Sequence, residues 1–571
     1  MKNLFWSLLL LVAASHSAAG QQVAPAKIKL KTKSGRTAPA TPAVAAPPAA
    51  PDLVTTYAAT IRQQELRQHL SVLASDEYQG REVGQAGQKK AAAYLVQQFQ
   101  ALGLQGPVAD NAAPYLQPFT LVRSTSAPGG YLAVQGRRFE WLRDFFSYGP
   151  QPSSFPASTA GQPVFAGFGI EEAGYSDYAA LDVRGKDVLV LMGEPQDPRG
   201  RSLLSGGRVG SSASSSWTSG VRKVRVAKRR GARSVFLLTF APAATFQRQA
   251  AQIAPLLREP VFSLSDPGPE ILDSLRDDVP AGIGVYFASQ ELGLAMSGTD
   301  LPGITQYAQR IAEAGRPVAA QFQPPPFTIQ LPESRQDLAT ENVLGFLEGT
   351  DKKEEVLVIS AHYDHLGMKH DTIYNGADDD GSGTVAVLAL AKAFALAKKE
   401  GHGPRRSILF LANTAEEEGL FGSQYYTGHP VFKLENTVAD LNLDMIGRTD
   451  KKHRKTPGFV YVIGADKLSS ELNAINEAAN QRYAHLLLDY SYNRPNDPEQ
   501  LYYRSDHYNF AKHKIPVIFY TAGLHPDYHK ATDDIEKIEF GPLEQRARLV
   551  FYTAWELVNR EARISVDSNK P

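Results

Sequence analysis

The sequence predicts an α/β fold in which a largely parallel central sheet is flanked by helices. After residue 340, apolar runs of strand length alternate with helical patterns. Each run is continuously apolar, which is typical of strands that helices cover on both faces. The runs lie at residues 356–359, 407–411, 438–443, 459–463 and 515–520.

Two helices precede this region and open the same domain. Apolar residues at helical spacing mark both helices, and Gly103 follows the second one as a stop signal. The apolar positions are Leu66, Leu70 and Leu73 in the first helix and Ala91, Leu95, Phe99 and Leu102 in the second. Residues 80–87 contain several glycines and predict the loop between the helices.

Changes in composition divide the chain of 571 residues into segments. The predicted order is a signal peptide at 1–20, an Ala- and Pro-rich disordered tether at 21–52, the first part of a main domain at 53–138, an inserted domain at 139–327, the second part of the main domain at 328–563 and a tail at 564–571. The insert predicts a strand at 187–192, a helix at 223–230 and a second strand at 234–238. It contains no nucleotide-binding glycine motif.

The first twenty residues have the layout of a cleavable secretory signal. Lys2 precedes an apolar segment at 4–14, and small residues follow at 17–20. The alternative is a membrane anchor, but the apolar segment is shorter than the roughly 20 residues that span a bilayer. We therefore expect export to the periplasm or the extracellular space, with no stable membrane insertion after cleavage.

Charge and cysteine content exclude several classes of function. Lys plus Arg and Asp plus Glu both total 60, so the chain lacks the excess of basic charge that favours nucleic acid. The sequence has no Cys, which excludes disulfides and thiolate zinc ligands.

Five short stretches rich in Asp, Glu and His contain the candidate functional residues of the sequence. Four follow an apolar strand run, and the fifth opens a predicted helix at 382–398. In such sheets, ligands bind at the carboxyl ends of strands. The stretches lie at 360–364, 376–383, 415–423, 443–447 and 528–529. Imidazoles and carboxylates form a ligand set that Zn²⁺ accepts, and carboxylates can bridge two cations, so the sequence predicts a dizinc hydrolase.

Taken singly, these stretches have ordinary alternatives. Asp364 follows His362 by two residues and is predicted to fix its tautomer, whereas His365 and His370 are interpreted as surface or hydrogen-bonded core groups. The acidic runs at 378–380 and 416–418 also suit a solvated turn and an exposed helix start. Only the conjunction of all five stretches favours a metal site.

These motifs, in this order, resemble the family of co-catalytic zinc aminopeptidases, which also contains glutaminyl cyclases and the peptidase-like ectodomain of transferrin receptor. The resemblance covers about residues 55–135 and 330–560. It implies a mixed, largely parallel sheet flanked by helices. The Gly-Phe-Gly stretch at 167–169 and the strand that begins at 185 resemble a protease-associated domain, so the insert is expected to be β-rich.

The resemblance implies two zinc ions per chain. It makes His362 and Asp444 ligands of separate zinc ions, Asp379 the bridge between them, and Glu417 and His529 the remaining ligands. The family usually has Asn after its bridging Asp, whereas Asp380 stands in that place here. Asp378, Asp379 and Asp380 therefore all stay candidates for the bridge.

The resemblance also implies catalytic roles. Glu416 matches the general base that takes a proton from a dizinc-bound water, and Tyr528 matches a hydrogen-bond donor to the developing oxyanion. Ser505, Asp506 and His507 match a further signature near the substrate or behind the ligands. The neighbouring Arg504 could contact a peptide carbonyl or carboxylate group, but it is interpreted as a surface residue.

The implied function is an exported metallo-aminopeptidase that acts on peptides with a free N-terminus. Two alternatives stay open on the same fold. The first is a glutaminyl cyclase, which would use a single zinc ion. The second is a binding protein with an inactive peptidase fold, although relatives of that kind tend to lose metal ligands and none is missing here.

Overall fold

The structure is a computed structural model that describes residues 52–109, 112–147, 159–205, 217, 220–269 and 283–568. The predicted signal peptide and all but the last residue of the predicted tether lie outside the described residues. Within those residues the chain forms two compact units. The large unit consists of Asp52–Thr125, Pro260–Val279 and Glu333–Pro571, and the inserted unit consists of Ser126–Glu259 and Pro280–Pro332.

The strands of the described residues are numbered in chain order. They are β1 Leu116–Ser126, β2 Tyr131–Val134, β3 Arg137–Glu140, β4 Phe145–Ser147, β5 Thr159–Gly161, β6 Val164–Phe165, β7 Glu171–Glu172, β8 Tyr175–Ser176, β9 Asp187–Leu191, β10 Ser234–Leu238, β11 Val261–Leu264, β12 Gly284–Ala288, β13 Phe327–Gln330, β14 Glu333–Leu347, β15 Lys352–His362, β16 Met368–Lys369, β17 Thr372–Ile373, β18 Arg406–Asn413, β19 Thr437–Leu443, β20 Phe459–Ile463, β21 Leu487–Asp489 and β22 Val517–Thr521.

The α-helices are numbered in the same way. They are α1 Leu53–Ala58, α2 Gln63–Leu73, α3 Ala86–Ala101, α4 Val221–Arg229, α5 Ala243–Leu257, α6 Gln290–Ser297, α7 Leu301–Ala314, α8 Gly383–Lys399, α9 Glu416–Gly419, α10 Phe421–Gly428, α11 Ser470–Ala479, α12 His507–Lys512 and α13 Phe540–Asn559.

Nine of the described strands form the sheet of the large unit, in the order β11-β1-β14-β18-β15-β19-β22-β20-β21. The central strands β18, β15, β19 and β22 are parallel to one another, whereas β14 pairs antiparallel with β18 and β20 pairs antiparallel with β22. The predicted mixed, largely parallel α/β sheet is confirmed. All five predicted strand runs coincide with strands of this sheet.

The parallel strands all end at one edge of the sheet. Strand β15 ends at His362, β18 at Asn413, β19 at Leu443 and β22 at Thr521. The segments that follow these strands therefore meet at the same edge, which is where α/β sheets bind their ligands. Four of the five predicted chemical stretches are placed there by topology alone.

Helix α8 lies in the core of the large unit. Most of its side chains are buried, and the ring of Phe394 lies 4.7 Å from that of Phe551 and 5.9 Å from that of Trp555, both on α13. The stretch 377–399 is the one helix among the described residues that is long and apolar enough to cross a membrane. Since 83% of it is buried in the fold, its apolar sequence fits a core helix.

The inserted unit is built around two sheets. One has the order β4-β12-β10-β9-β6, with β6, β9, β10 and β12 parallel, and the other has the order β3-β2-β13-β5. The predicted strand, helix and strand are present as β9, α4 and β10. The insert also contains α5, α6 and α7, which the sequence analysis did not predict. Their signal was present in the sequence, since Phe246, Ala250, Ala254 and Leu257 recur at helical spacing and are buried.

The predicted domain boundaries differ from the observed ones. Strands β2 and β3 pair with each other and β2 pairs with β13, so residues 131–140 belong to the inserted unit. Strand β11 pairs with β1 and joins the large sheet instead. The predicted tail after residue 563 contacts the large unit over its described part, where Ile564 is buried. The resemblance of the insert to a protease-associated domain stays a prediction.

Candidate metal centre

The edge of the large sheet brings the five predicted metal ligands together. His362 is the last residue of β15, Asp444 directly follows β19, and Glu417 lies in α9, four residues after the end of β18. Asp379 lies in an irregular helical turn just before α8, and His529 lies in the segment after β22. These positions are far apart in sequence, and only the sheet places them side by side.

The first cluster consists of His362, Asp379 and Asp444, which are all buried. The distance from His362 Nε2 to Asp379 Oδ1 is 3.3 Å, and that from His362 Nε2 to Asp444 Oδ1 is 3.7 Å. Ser505 donates a hydrogen bond of 2.7 Å from its Oγ to Asp444 Oδ2, so the predicted Ser505 signature lies directly behind this ligand. One nitrogen and two carboxylate oxygens thus face a common point.

The second cluster uses the other oxygen of Asp379. The distance from His529 Nε2 to Asp379 Oδ2 is 3.2 Å, and that from His529 Nε2 to Glu417 Oε2 is 3.0 Å. Each oxygen of Asp379 therefore faces a different imidazole. This is the arrangement that a carboxylate needs to bridge two cations.

The neighbouring acids of the run point elsewhere. Asp380 accepts hydrogen bonds from the backbone amides of Gly383 and Met445, and Asp378 accepts one from the amide of Gly447. Burial, followed by the charge of Asp444, raises the pKa of Asp380 well above its ordinary value. Of the three candidates, Asp379 is the one that faces both clusters.

His365 is a residue of this site that the sequence interpretation missed. It is fully buried, its Nδ1 lies 2.8 Å from Glu417 Oε1, and it belongs to a second possible ligand group with Asp379 and Glu417. Its position three residues after His362 was visible in the sequence. The strand ends at His362, however, and the direction of the following chain is set by tertiary contacts.

The electrostatics of the cluster match a cation site. Burial by itself would lower the pKa of His362, but the carboxylates of Glu416, Asp364, Asp379 and Asp444 outweigh it and raise the pKa well above the ordinary value. Burial likewise would lower the pKa of His529, yet Glu417 and Asp379 raise it to about 10. Conversely, the pKa of Asp379 is lowered well below its ordinary value: burial would raise it, but the close approach of the His362 and His529 imidazoles outweighs burial.

Several buried polar atoms of the cluster have no hydrogen-bond partner among the described residues. They include His362 Nε2, Asp379 Oδ2 and Glu417 Oε1. Buried polar atoms are normally satisfied, so a group of them aimed at one another indicates a ligand that accepts nitrogen and carboxylate donors. The donor set fits Zn²⁺.

Asp364 and Glu416 lie beside the first cluster. The carbonyl oxygen of Asp364 lies 3.1 Å from His362 Nδ1, and its carboxylate oxygen Oδ1 lies 3.7 Å from the same atom. The carboxylate of Asp364 also accepts a hydrogen bond of 3.3 Å from the backbone amide of Glu416. Asp364 thus links the orientation of the His362 ring to that of the segment that carries Glu416 and Glu417.

A cleft of about 390 Å³ opens next to the cluster. Asp379, Glu416, Asp444 and His529 face it, together with Met445, Leu501, Arg504, Phe519, Thr521, Gly523, Leu524 and Tyr528. Arg504 donates a hydrogen bond of 3.2 Å to the hydroxyl oxygen of Tyr528. Arg504 therefore lines the cleft, and its interpretation as a surface residue is wrong.

The segment that carries Tyr528 and His529 is tied to the turn that carries Asp379. The carboxylate of Asp533 accepts hydrogen bonds of 3.0 and 3.1 Å from the backbone amides of Asp378 and Asp379. His525 Nε2 lies 3.1 Å from Asp378 Oδ2. These contacts fix the distance between Asp379 and His529, which are 150 positions apart in the sequence.

Comparison with known proteins agrees with this geometry. The model of Peptidase family M28 matches residues 342–554. These residues form a Peptidase family M28 domain. The M28 domain contains all five predicted ligands together with Asp364, Glu416 and Tyr528, whereas the helices α1 to α3 of the large unit precede it.

Curated relatives of the M28 domain include proteins named as aminopeptidases. Aminopeptidase YwaD of Bacillus subtilis is 27% identical over 232 residues, which are 39% of this chain and 46% of that protein. A probable leucine aminopeptidase of Arthroderma otae is 32% identical over 213 residues, which are 36% of this chain and 55% of the relative. The chain thus spans about half the length of these curated relatives.

Two aminopeptidases are among the solved structures to which this chain is similar. The aminopeptidase from Aneurinibacillus sp. strain AM-1 has 18% sequence identity and a TM-score of 0.47, and the comparison covers 91% of this chain and 100% of that one. BSAP, a zinc aminopeptidase from Bacillus subtilis, has 19% identity and a TM-score of 0.41, with 88% and 98% covered.

We expect zinc to bind more tightly to the M28 domain as the pH rises. Without metal, His362 and His529 hold protons near neutral pH because their pKa values are raised, and zinc requires the neutral imidazoles. Each displaced proton changes the apparent affinity by about tenfold per pH unit. Competition titrations between about pH 6 and 8 measure this slope, and calorimetry in buffers of different ionisation enthalpy counts the protons.

The raised pKa values of the histidines also make the stability of the metal-free fold depend on pH, in the direction opposite to that of the zinc affinity. The raised pKa of His529 stabilises the folded state fully below the unfolded value of about 6.5. This contribution is lost as the pH rises toward about 10, the folded pKa.

A zinc affinity that does not depend on pH would contradict the protonation states assigned to both histidines.

Substitutions at Asp379 and Asp380 distinguish the predicted bridging acid from the acid that follows it in the sequence. Asp379→Asn should abolish tight zinc binding, because Asp379 faces both imidazoles. Asp380→Asn should retain zinc, because the carboxylate of Asp380 is occupied by hydrogen bonds from the backbone amides of His362, Gly383 and Met445. Metal analysis after dialysis measures the difference. Equal loss of zinc in both variants would show that Asp380 shares the bridging role.

Proposed function

We propose that this protein is an exported zinc aminopeptidase that removes N-terminal residues from peptides and uses two zinc ions and a glutamate base. The observation that carries the proposal is the position of Asp379, whose two carboxylate oxygens face separate imidazole and carboxylate clusters. The names of the curated relatives of the M28 domain support the aminopeptidase activity. The predicted signal peptide supports export.

The residues fit two zinc ions that share one carboxylate. His362, Asp379 and Asp444 would hold one ion, and Asp379, Glu417 and His529 would hold the other. Zinc ions in such a site polarise a carbonyl oxygen and lower the pKa of water to about 7, which provides a nucleophile at neutral pH. Asp364, His365 and Ser505 orient the ligands by contacts to His362, Glu417 and Asp444 respectively.

Glu416 is placed to move the proton of the attacking water. Its Oε2 lies 3.9 Å from His362 Nε2, so it stands beside the ligand cluster, and it faces the cleft. A carboxylate in this position accepts a proton from water and passes it to the departing amine. Glu417, one residue later, points into the second cluster, so adjacent glutamates take different roles.

Tyr528 is placed to donate a hydrogen bond to the developing oxyanion. Burial, followed by the charges of Asp379 and Glu417, raises the pKa of its phenol well above the ordinary value, so the phenol keeps its proton. Its oxygen accepts a hydrogen bond from Arg504, which leaves the O–H proton free to serve the substrate. A preorganised donor of this kind stabilises charge that develops in the transition state.

The shape and charge of the cleft suit the N-terminal end of a peptide. Carboxylates of the cluster attract the α-ammonium group, and Met445, Leu501, Phe519 and Leu524 supply an apolar wall for the first side chain. We propose that substrates with an apolar N-terminal residue are preferred.

The two alternatives differ from this proposal in metal content. A glutaminyl cyclase would use one zinc ion, whereas the two clusters here offer a complete set of donors on both sides of Asp379. An inactive binding protein has no need of Glu416 or of a paired donor set. A single tightly held zinc ion with cyclase activity and no peptidase activity would favour the first alternative.

Glu416→Gln tests the base directly. The substitution keeps the shape of the side chain but removes its basicity, so kcat should fall by about 10² to 10⁴-fold. Zinc content should stay that of the wild type, because Glu416 is not among the proposed ligands. Steady-state hydrolysis of an aminoacyl chromogenic substrate and metal analysis of the same sample measure both quantities.

A matched set of controls completes that experiment. Chelation of the wild-type protein should abolish hydrolysis, and added zinc should restore it. Exchange of the nearby Glu418 for Gln should leave turnover close to wild type. Undiminished turnover of the Glu416 variant, or activity that survives chelation and dialysis, contradicts the mechanism.

The apolar wall of the cleft predicts a substrate preference. Leucyl and phenylalanyl nitroanilides should have a kcat/KM at least about tenfold above those of the lysyl and glutamyl compounds, since burial of a few methylene groups contributes about 0.8 kcal/mol each. A panel of aminoacyl nitroanilides measures this order. Preference for a charged residue would show that Arg504 or an acid of the cluster, and not the apolar wall, selects the side chain.

A further inference from the structure

The loop at residues 79–82 lies between α2 and α3 and carries a buried arginine, Arg81. The side chain of Arg81 contacts the segment after His362 and the segment before Asp379. Gln79, Gly80 and Arg81 all have left-handed backbone conformations, with φ angles of 49°, 67° and 55°. A Cβ on Gly80 would lie 2.3 Å from the carbonyl oxygen of Tyr374, so glycine is required for the loop to approach the main domain this closely. The side chain of Arg81 is only 1% exposed.

The guanidinium group of Arg81 donates hydrogen bonds to four backbone carbonyl oxygens. Nε donates to Tyr363 at 2.7 Å, Nη1 donates to Leu73 at 2.9 Å and to Asn375 at 2.5 Å, and Nη2 donates to Gly376 at 2.9 Å. Tyr363 directly follows the ligand His362. Gly376 begins the turn that carries Asp379.

We propose that Arg81 is a positioning residue of the metal centre, which holds the segment after His362 and the segment before Asp379 at a fixed separation. This inference rests on the proposed function only in so far as both segments bind zinc. The backbone of Arg81 adds to the connection, because its carbonyl oxygen accepts a hydrogen bond of 3.3 Å from the amide of His365. Arg81 thus contacts His365 itself, the residue after His362 and the segment just before Asp379.

The charge of Arg81 favours the same role. An arginine stays protonated in proteins, and the acids Asp364, Asp380, Asp379 and Asp533 act on this guanidinium through their charges. Because the hydrogen bonds go to carbonyl groups, the guanidinium leaves the metal-ligating oxygens of Asp379 free for cations. A lysine has the charge but lacks the planar fork that satisfies four acceptors at once.

Arg406 offers a matched control in the same unit. It is also fully buried, and it donates hydrogen bonds to the carbonyl oxygens of Leu557 at 3.1 Å, Arg560 at 2.6 Å and Glu561 at 3.3 Å. It is the first residue of β18, whose other end leads to the cluster, so it lies at the opposite edge of the sheet. A general effect of losing a buried arginine should be equal at the two positions.

The test compares the wild-type protein with Arg81→Lys and Arg406→Lys. Zinc dissociation constants come from competition with a chelating dye, and thermal unfolding is followed with and without zinc. Both variants should unfold at a lower temperature without metal. Only Arg81→Lys should bind zinc about 10- to 100-fold more weakly and show a smaller rise of the unfolding temperature on zinc addition.

The outcomes distinguish failure of the proposed function from failure of the inference about Arg81 alone. Absence of tight zinc binding in the wild type overturns the proposed function and this inference together. Wild-type zinc affinity in Arg81→Lys, or an equal loss in Arg406→Lys, overturns this inference alone. If Arg81→Lys does not fold, hydrogen exchange of the wild-type protein provides the test. Zinc should slow the exchange of the backbone amides at residues 79–82, which include no ligand. Unchanged exchange of these amides overturns the inference.

Discussion

The carboxylate of Asp379, shared between two imidazole clusters, is the interaction on which the rest of the site depends. Its oxygens lie 3.3 Å from His362 Nε2 and 3.2 Å from His529 Nε2. Buried carboxylates repel one another and are expensive to desolvate, so a fold that gathers Asp379, Glu417 and Asp444 must provide positive charge. Protonated histidines supply it in the metal-free protein, and the same donor atoms fit zinc when the protons leave.

Backbone contacts keep this arrangement in place. The amides of Asp378 and Asp379 donate to Asp533, and the carbonyl oxygens of Tyr363 and Gly376 accept from Arg81. Because these contacts involve main-chain groups, they fix the path of the chain and leave the side-chain oxygens of Asp379 free. The large unit therefore builds its site from strand ends and secures it with Arg81, which precedes the M28 domain, and with Asp533, which lies within that domain.

The fold could be predicted from the sequence because continuously apolar runs mark the central strands. Local patterns also located the candidate stretches near strand ends or a helix start, whereas the roles of individual ligands were implied by the resemblance to a known family. His365 and Arg81 could not be assigned in this way. His365 is one of several histidines near a strand end, and Arg81 lies in a loop whose partners at 363 and 376 are almost 300 positions away. Helices α5, α6 and α7 of the insert were missed, although the apolar spacing of α5 was present in the sequence.

The sequence by itself determined the α/β class, the ligand types and the order of the motifs, because hydrophobic period and residue chemistry are properties of short segments. Tertiary structure decided which of three adjacent acids faces both clusters, that Arg504 lines the cleft, and that Arg81 joins two ligand-bearing segments. Those assignments depend on the direction in which side chains leave the backbone and on contacts between segments far apart in the chain, and neither is encoded in a local pattern.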